Sequence, residues 1–306
     1  MIRYIIRRLI ACIPTILLVV TLVFFAFQLI PGDAAAIFAG EQASAEQIER
    51  IRHEMGLDKP VMEQYVIYLN RVIHGNLGRS AISGRNVLTE IQARFGKTVK
   101  LSLWAIALSS LLGITFGTLS ALKRETIIDW ALSVLSILGI SLPSFWLGIL
   151  LIYTFSIKLR LLPATGSNSA KHYVLPVIVC SFYSIAFITR MTRSALLEVL
   201  GEDYVRTARA KGLRERLVVA KHVLRNALIP VITTVGLQFG YMLGGSVVTE
   251  TVFAWPGMGR LLVSSVEQRD ITMVQGILLV VAACFLLVNL AVDIIYSFVD
   301  PRIRYS

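Results

Sequence analysis

Charged residues are scarce in this sequence. They make up 16% of its 306 residues, while hydrophobic residues make up 56%. A soluble domain ordinarily contains about 25% charged residues, so the composition excludes an ordinary soluble domain. A helix needs roughly 20 apolar residues to cross a bilayer, and six apolar runs reach about that length. These runs cover residues 9–30, 101–122, 130–157, 172–189, 226–249 and 271–292.

The six runs must be helical, because backbone polar groups in lipid pair either within a helix or in a closed barrel. The alternating pattern that marks a barrel strand is missing from the sequence. The sequence therefore predicts an all-α integral membrane protein with six transmembrane helices. Its first run is longer than the core of a cleaved secretory signal, which spans about 7–15 residues, and we interpret it as an uncleaved anchor.

Cysteine is rare, and catalytic patterns are missing. Cys12, Cys180 and Cys284 all lie in predicted spans, where they pack as small apolar residues, so no disulfide framework is indicated. The four histidines have no metal-ligand spacing. The tripeptide Gly-Lys-Thr at residues 96–98 resembles the end of a phosphate-binding loop, but Ile91 stands where that motif requires glycine. We expect no catalytic residue, metal or cofactor on this chain.

Positive charge is unevenly distributed between the predicted loops. The formal net charge of +11 invites a nucleic-acid interpretation, but positive charge in a membrane protein usually encodes orientation. With the amino terminus inside, 16 Lys and Arg residues lie on the inner side and five lie in the two short outer loops. The long segment 31–100 crosses regardless of its charge. We expect both termini in the cytoplasm, a location in the cytoplasmic (inner) membrane, and no nucleic-acid partner.

The predicted spans divide the chain into four parts. These are the cytoplasmic amino terminus and first helix (1–30), a small helical extracytoplasmic insert (31–100), a five-helix transmembrane core (101–299) and a cytoplasmic tail (300–306). In the insert, Ser44 is a helix cap and Gly56 ends the same helix before Pro60. A second amphipathic patch covers residues 65–72.

The positions of proline and glycine predict two features of the membrane spans, a kink and close helix packing. Pro143 should kink the third span, because proline removes a backbone hydrogen bond. Glycines spaced by four give two spans a face of small residues, which favours close helix packing; a pore lining is the alternative. These are Gly113 and Gly117 in the second span and Gly236, Gly240 and Gly244 in the fifth.

The predicted inner loop at residues 196–226 contains the most informative pattern. Glu202 and Asp203 stand where the amino terminus of a helix would favour negative charge. Basic residues followed by Gly212 stand where its carboxyl end would favour positive charge and a left-handed turn. The pattern predicts a short helix, a turn at Gly212 and a second helix that contains Val218 and His222. Such a hairpin suits docking into a groove of another protein. A basic loop that only sets orientation, or that lies on anionic lipid, is the alternative.

This loop resembles the EAA loop of binding-protein-dependent ABC importer permeases, and more narrowly that of the dipeptide, oligopeptide and nickel group. The resemblance rests on residues 204–212. The loop residues that it assigns to ATPase coupling are Glu202, Asp203, Tyr204, Arg206, Thr207, Ala208, Arg209, Ala210, Lys211 and Gly212. It departs from the general pattern at Arg206 and Thr207, where Glu and Ala are usual. Other agreeing segments follow in order: residues 7–9, 30–33, 56–60, 190–194, 224–227, 253–260 and 300–304.

The resemblance implies a type I importer permease fold and the first of two permease subunits, since the insert directly follows the first span. It also implies a second homologous permease, two ATP-binding subunits that hold ATP and magnesium, and an extracytoplasmic solute-binding protein. The ten loop residues would couple the chain to the ATPase. The implied cargo is a di- or oligopeptide, and nickel, a metal chelate or glutathione is the alternative. A membrane scaffold or receptor without transport is a second alternative.

Polar residues in or near the spans are candidates for the translocation path, because burying them in lipid is costly. The alternative is hydrogen bonding between helices. The predicted path residues are Pro143, Phe145, Gln238, Glu250, Asn289 and Asp293. A separate group, Trp255, Pro256 and Arg260, is predicted to shape an outer gate or docking face.

Overall fold

The structure, a computed structural model, describes residues 2–29, 34–39 and 43–299. The chain is helical over most of these residues, as predicted. The helices are α1 (Ile2–Gln28), α2 (Ala34–Ala39), α3 (Ala45–Met55), α4 (Val61–Ile73), α5 (Val87–Leu122), α6 (Ile127–Ser141), α7 (Ser144–Leu151), α8 (Lys171–Leu200), α9 (Asp203–Ala210), α10 (Glu215–Leu217), α11 (Leu224–Gly245), α12 (Val247–Val252), α13 (Met258–Glu267) and α14 (Ile271–Val299). π-Helical turns follow α7 at Ile152–Lys158 and α10 at Val218–Val223.

Five helical segments in the described residues are long and apolar enough to cross a membrane. They are Ile6–Gln28, Val87–Leu122, Lys171–Leu200, Glu215–Gly244 and Ile271–Ile295. A sixth crossing results if the bent pair α6 and α7 counts as one span. The predicted number of apolar segments is therefore confirmed, with one of them broken.

The third predicted span is two helices rather than one kinked helix. α6 and the segment that starts at α7 are bent by 102° relative to each other. Leu142 is extended, with ψ of 126°, because proline disfavours the α conformation in the residue before it. Pro143 also has no N–H to continue the ladder of α6. The prediction of a kink was right in position and wrong in size.

Two other predicted boundaries differ from the structure. The second span begins at Val87 rather than at residue 101, because the Asn86 side chain accepts hydrogen bonds from the Leu88 and Thr89 amides and caps the helix there. The predicted division between insert and core thus falls inside α5. The fifth span begins at Glu215 rather than at residue 226, because the π turn carries the helix onward from the hairpin.

The glycines spaced by four lie at contacts between helices, as the packing interpretation predicted. A Cβ at Gly113 would lie 2.7 Å from Cβ of Ile188, and one at Gly117 would lie 2.5 Å from Cβ of Thr192. These glycines let α5 and α8 approach closely. The three glycines of α11 face Val292, Phe285 and Val281 of α14 in the same way.

The segment between α1 and α5 contains the predicted capped helix, α3. Ser44 and Gln47 form a reciprocal capping box at the start of α3. Gly56 caps the end of α3 in the left-handed conformation, with φ of 69°. α4 lies against α1, where the Tyr65 hydroxyl and Thr21 Oγ1 are 2.6 Å apart. The motif at residues 30–33 and the tail 300–306 lie outside the described residues.

Candidate functional site

The predicted hairpin is formed by α9, a turn and α10. Gly212 has φ of +77°, a conformation that costs glycine little because it has no Cβ. Arg209 bridges the turn: its Nε and Nη2 donate to the two carboxylate oxygens of Glu215 at 3.1 and 2.7 Å. This bond raises the pKa of Arg209 above its usual range. The predicted short helix and the turn at Gly212 are confirmed.

One side of the hairpin is buried and the other is exposed. Val205 and Ala208, three residues apart on α9, enter an apolar cluster whose other members come from α5, α8 and the helix after the turn. Those members are Ala121, Ala195, Leu196, Val218, Val223 and Ala227. The remaining predicted loop residues are exposed: Glu202, Asp203, Tyr204, Arg206, Thr207, Arg209, Ala210, Lys211 and Gly212. The hairpin thus presents a polar, mainly basic face from a fixed base.

An ion pair that sequence reasoning missed lies beside this base. Arg193 of α8 donates from Nε and Nη2 to the two oxygens of Asp129 of α6 at 2.8 and 2.9 Å. The Asp129 carboxylate also accepts from Ser120 Oγ at 2.5 Å and from the Glu125 amide at 3.1 Å. Asp129 is buried. The pair ties α5, α6 and α8 together, and the only sequence signal for it was one acidic residue near the start of an apolar run.

Glu250 is at the centre of a buried polar cluster. It is fully buried, and its Oε1 accepts from Thr98 Oγ1 at 2.7 Å and from Ser246 Oγ at 3.0 Å. Its Oε2 accepts from the Arg260 amide at 3.1 Å, and Thr98 Oγ1 accepts from the Met258 amide at 2.8 Å. The cluster joins α5, α12 and α13. Its three donors leave the Glu250 carboxylate satisfied without a cation.

Two other predicted path residues also bind neighbouring helices. Gln238 of α11 accepts a hydrogen bond from Ser184 Oγ of α8 at 2.9 Å. Asp293 of α14 forms an ion pair with Nη1 of Arg8 of α1 at 2.9 Å. Each side chain therefore has an interhelical partner, and its role in a translocation path stays a prediction.

The remaining path candidates lie at less buried positions. Pro143 and Phe145 are exposed at the break between α6 and α7, and Asn289 is half-buried on α14. The structure does not bring the six candidates to one place. Within the described residues, no group of three or more His, Cys, Asp or Glu side chains is arranged to hold a metal ion.

The predicted outer residues divide into one buried and two exposed side chains. Trp255 is fully buried; its Nε1 donates to the Lys97 carbonyl at 3.2 Å, and its ring meets Tyr173 edge-on at 4.5 Å between centroids. Pro256 and Arg260 are exposed. Only the latter two are placed to contact another molecule.

Together these features define the class: a multi-pass helical membrane protein with an exposed helical hairpin and buried polar contacts between its helices. Residues 113–305 match the family described as "Binding-protein-dependent transport system inner membrane component". Residues 1–102 match the family described as its N-terminal part. The chain belongs to this family, and it is an inner-membrane permease subunit of an ABC importer.

Its similarity to curated relatives extends over the full length. The chain is 47% identical over 306 residues to the glutathione transport system permease protein GsiC of Pectobacterium atrosepticum, with all of both chains covered. It is 44% identical to GsiC of Escherichia coli strain K12 over the same length and with the same coverage.

Solved structures show the same fold at low sequence identity. A chain of the MetNI methionine ABC transporter matches with a TM-score of 0.60 and 20% identity, covering 70% of this chain and 97% of that one. A chain of an amino acid ABC transporter matches with a TM-score of 0.50 and 18% identity, covering 76% of this chain and 97% of that one. The fold is therefore that of ABC importer permeases.

Proposed function

We propose that this chain forms half of the translocation pathway of a glutathione importer. The observation that carries the proposal is the identity of 44–47% over the full length with permeases named for glutathione transport. Di- or oligopeptides are the second candidate cargo, because the hairpin and flanking motifs resemble those of the peptide group and glutathione is itself a small peptide.

The proposed assembly contains a second homologous permease, two ATP-binding subunits and an extracytoplasmic solute-binding protein. The hairpin would dock on an ATP-binding subunit through the exposed residues of α9 and the turn. Its support is physical: Val205 and Ala208 fix α9 to α5 and α8, so a push on the exposed face reaches the transmembrane helices. The proposed orientation has both termini in the cytoplasm and the segment before α5 outside.

For the path, we propose that Gln238, Glu250 and Asp293 change partners as the helices move, with Asn289, Pro143 and Phe145 nearer the substrate or the second permease. Pro256 and Arg260 are proposed as the part of the outer face that contacts a partner, and Trp255 as the buried anchor of that loop.

The cargo is tested by uptake. The chain would be expressed with its second permease, ATPase subunits and solute-binding protein in cells that lack their own glutathione and peptide importers. We expect uptake of labelled glutathione to exceed uptake of a labelled dipeptide. The reverse order would favour the second candidate, and failure of the subunits to co-purify would contradict the importer assembly.

The hairpin is tested by graded substitution at the turn. Gly212→Val places a β-branched residue at φ of +77°, whereas Gly212→Asn is tolerated better because asparagine visits this region. We expect Val to abolish uptake while ATP hydrolysis by the complex continues, Asn to retain most uptake, and Arg209→Gln to fall between them. Arg124→Gln, in another exposed loop, is the control. Normal uptake in both Gly212→Val and Arg209→Gln would rule out a coupling role.

A further inference from the structure

A cleft of about 660 Å³ lies where α1, α4 and the start of α14 meet. Three arginines line it: Arg71 of α4, Arg79 of the loop that follows, and Arg269 of the turn before α14. Phe24 and Tyr68 supply aromatic surface. No Asp or Glu of the described chain is among its lining residues. The lining residues therefore carry positive charge without a matching negative charge among them, and the buried Asp270 next to Arg269 is already bonded to Ser80 Oγ and the Ala81 amide.

The cleft arginines differ from other arginines of the same segment. Arg50 pairs with Glu46 at 3.0 Å, and Arg85 and Arg94 both pair with Glu90. Within the described residues, the guanidinium groups of the three cleft arginines form no ion pair and no side-chain hydrogen bond. Guanidinium groups bind carboxylate and phosphate through paired N–H donors, so the cleft has unused capacity for an oxyanion.

The Tyr68 hydroxyl adds an unused donor to the same cleft. Its oxygen is buried and has no hydrogen-bond partner in the described residues, and an unpaired buried polar group is costly. Burial raises the pKa of Tyr68 to about 12, so at neutral pH the group keeps its proton. A bound oxygen acceptor would satisfy it.

The cleft also lies at the edge of an apolar crossing. It is lined by Gln28 at the last turn of α1 and by Ile271 at the first turn of α14. Leu29, which directly follows Gln28, is an exposed apolar side chain. Guanidinium groups at the edge of a membrane crossing are placed to pair with the phosphate of a lipid head group through their paired N–H donors. A soluble peptide offers a carboxylate, a different oxyanion that guanidinium groups bind through the same paired N–H donors.

We propose that this cleft is a binding site for a small oxyanionic group, either the phosphate of an anionic phospholipid or the carboxylate of a free peptide. Arg71, Arg79 and Arg269 form the anion site, and Tyr68 donates to the bound oxygen. The proposal rests on the membrane placement of the chain and does not require that the bound anion is transported, so a failed glutathione uptake assay does not overturn it.

The test measures equilibrium binding to the purified full-length chain in neutral detergent. The probes are dihexanoyl phosphatidylglycerol, the zwitterionic dihexanoyl phosphatidylcholine, and glutathione. We expect an anionic probe to bind at least several times more tightly than phosphatidylcholine. Arg71→Gln, Arg79→Gln and Arg269→Gln should each weaken it by about tenfold, as expected for the loss of a charge-assisted bond. Tyr68→Phe should weaken it by roughly threefold.

Arg50→Gln, which removes an arginine of the same segment outside the cleft, is the matched control and should bind as wild type. Elution of each variant as wild type in size-exclusion chromatography separates lost binding from misfolding. If only phosphatidylglycerol binds in an arginine-dependent way, the cleft is a lipid site. If only glutathione does so, the cleft is a site for soluble anions. The proposal is overturned if neither anionic probe binds better than phosphatidylcholine, or if the cleft variants bind like Arg50→Gln.

Discussion

At the scale of single residues, the structure explains why two glycines follow Glu250. A Cβ at Gly257 would overlap the Glu250 carboxyl group, and one at Gly259 would lie 2.6 Å from Cα of Val247 and 3.0 Å from Oε2 of Glu250. Only glycine leaves room for the carboxylate beneath this turn. The Pro-Gly-Met-Gly-Arg stretch therefore encloses a buried acidic group, and its exposed Pro256 is the visible part of that enclosure.

Glu250→Gln tests the acceptor role of this residue. An amide has one oxygen and one NH2 group, so the NH2 group of glutamine would face donors from which a Glu250 oxygen now accepts hydrogen bonds. A buried donor without a partner costs about 1–3 kcal/mol. We expect a lower apparent melting temperature for the purified chain. Glu267→Gln, at an exposed position near the end of α13, should leave the melting temperature unchanged. Equal melting for the two variants would contradict the assigned network.

Gly259→Ala tests the enclosure by steric overlap. The added methyl group would meet the backbone of Val247, which cannot move aside as a flexible side chain could, and overpacking of this kind costs roughly 1–3 kcal/mol. Gly96→Ala is the matched control, because a Cβ there meets nothing within 4 Å and alanine favours a helix over glycine by about 1 kcal/mol. We expect opposite shifts in melting temperature. A neutral Gly259→Ala would show that the turn has space.

At the scale of helices, the ion pair between Asp129 and Arg193 has a position with mechanical consequences. It joins the start of α6 to the last third of α8. Ala121, next to the Asp129 partner Ser120, and Ala195, two residues after Arg193, belong to the apolar cluster that holds the hairpin. We expect a displacement of the hairpin to reach α6 through this bidentate pair, because its two parallel hydrogen bonds fix the geometry between α6 and α8. The broken third span begins at this bond.

A double-mutant cycle on Asp129→Asn and Arg193→Gln measures this connection. Because the two groups share two hydrogen bonds, we expect a coupling energy of about 1–3 kcal/mol in stability, and Arg193→Lys should recover only part of it because lysine cannot form the fork. Arg190→Gln, one turn away on an exposed part of α8, should show no coupling to Asp129. Additive effects of the two substitutions in the cycle would mean that the pair contributes little.

At the scale of the whole molecule, the chain leaves large apolar surfaces uncovered. Trp104, Trp130 and Trp146 are exposed, and the outward faces of α1 and α6 carry long aliphatic side chains. Such surfaces are compatible with lipid contact and with burial against another subunit. They suit a subunit that completes its pathway only in an assembly.

Cysteine labelling tests the orientation of the whole chain. The native cysteines are half-buried within predicted spans, so a membrane-impermeant maleimide should label the wild type weakly. We expect strong labelling of Ser83→Cys in intact spheroplasts, because the segment before α5 is proposed to lie outside. Lys211→Cys, at the hairpin turn, should be labelled only after permeabilisation. The opposite pattern would reverse the proposed topology.

Much of the fold could be predicted from local patterns. Ser44 and Gly56 bound α3 as predicted, since caps depend on backbone groups a few residues away. Apolar runs gave the number of membrane segments because crossing length is set by the bilayer, and Gly212 marked the hairpin turn through its backbone freedom. These features depend on neighbours in sequence, so the sequence by itself determined them.

The tertiary structure alone decided which polar residues meet. Thr98 and Glu250 are 152 residues apart, and Asp129 and Arg193 are 64 apart, so no local pattern pairs them. The sequence predicted that Glu250, a charged residue at the end of an apolar run, is a candidate path residue, but only helix packing decided that it binds α5 and the start of α13. In lipid, a polar group binds whichever partner the neighbouring helix presents, so the packing of the helices determines the partner.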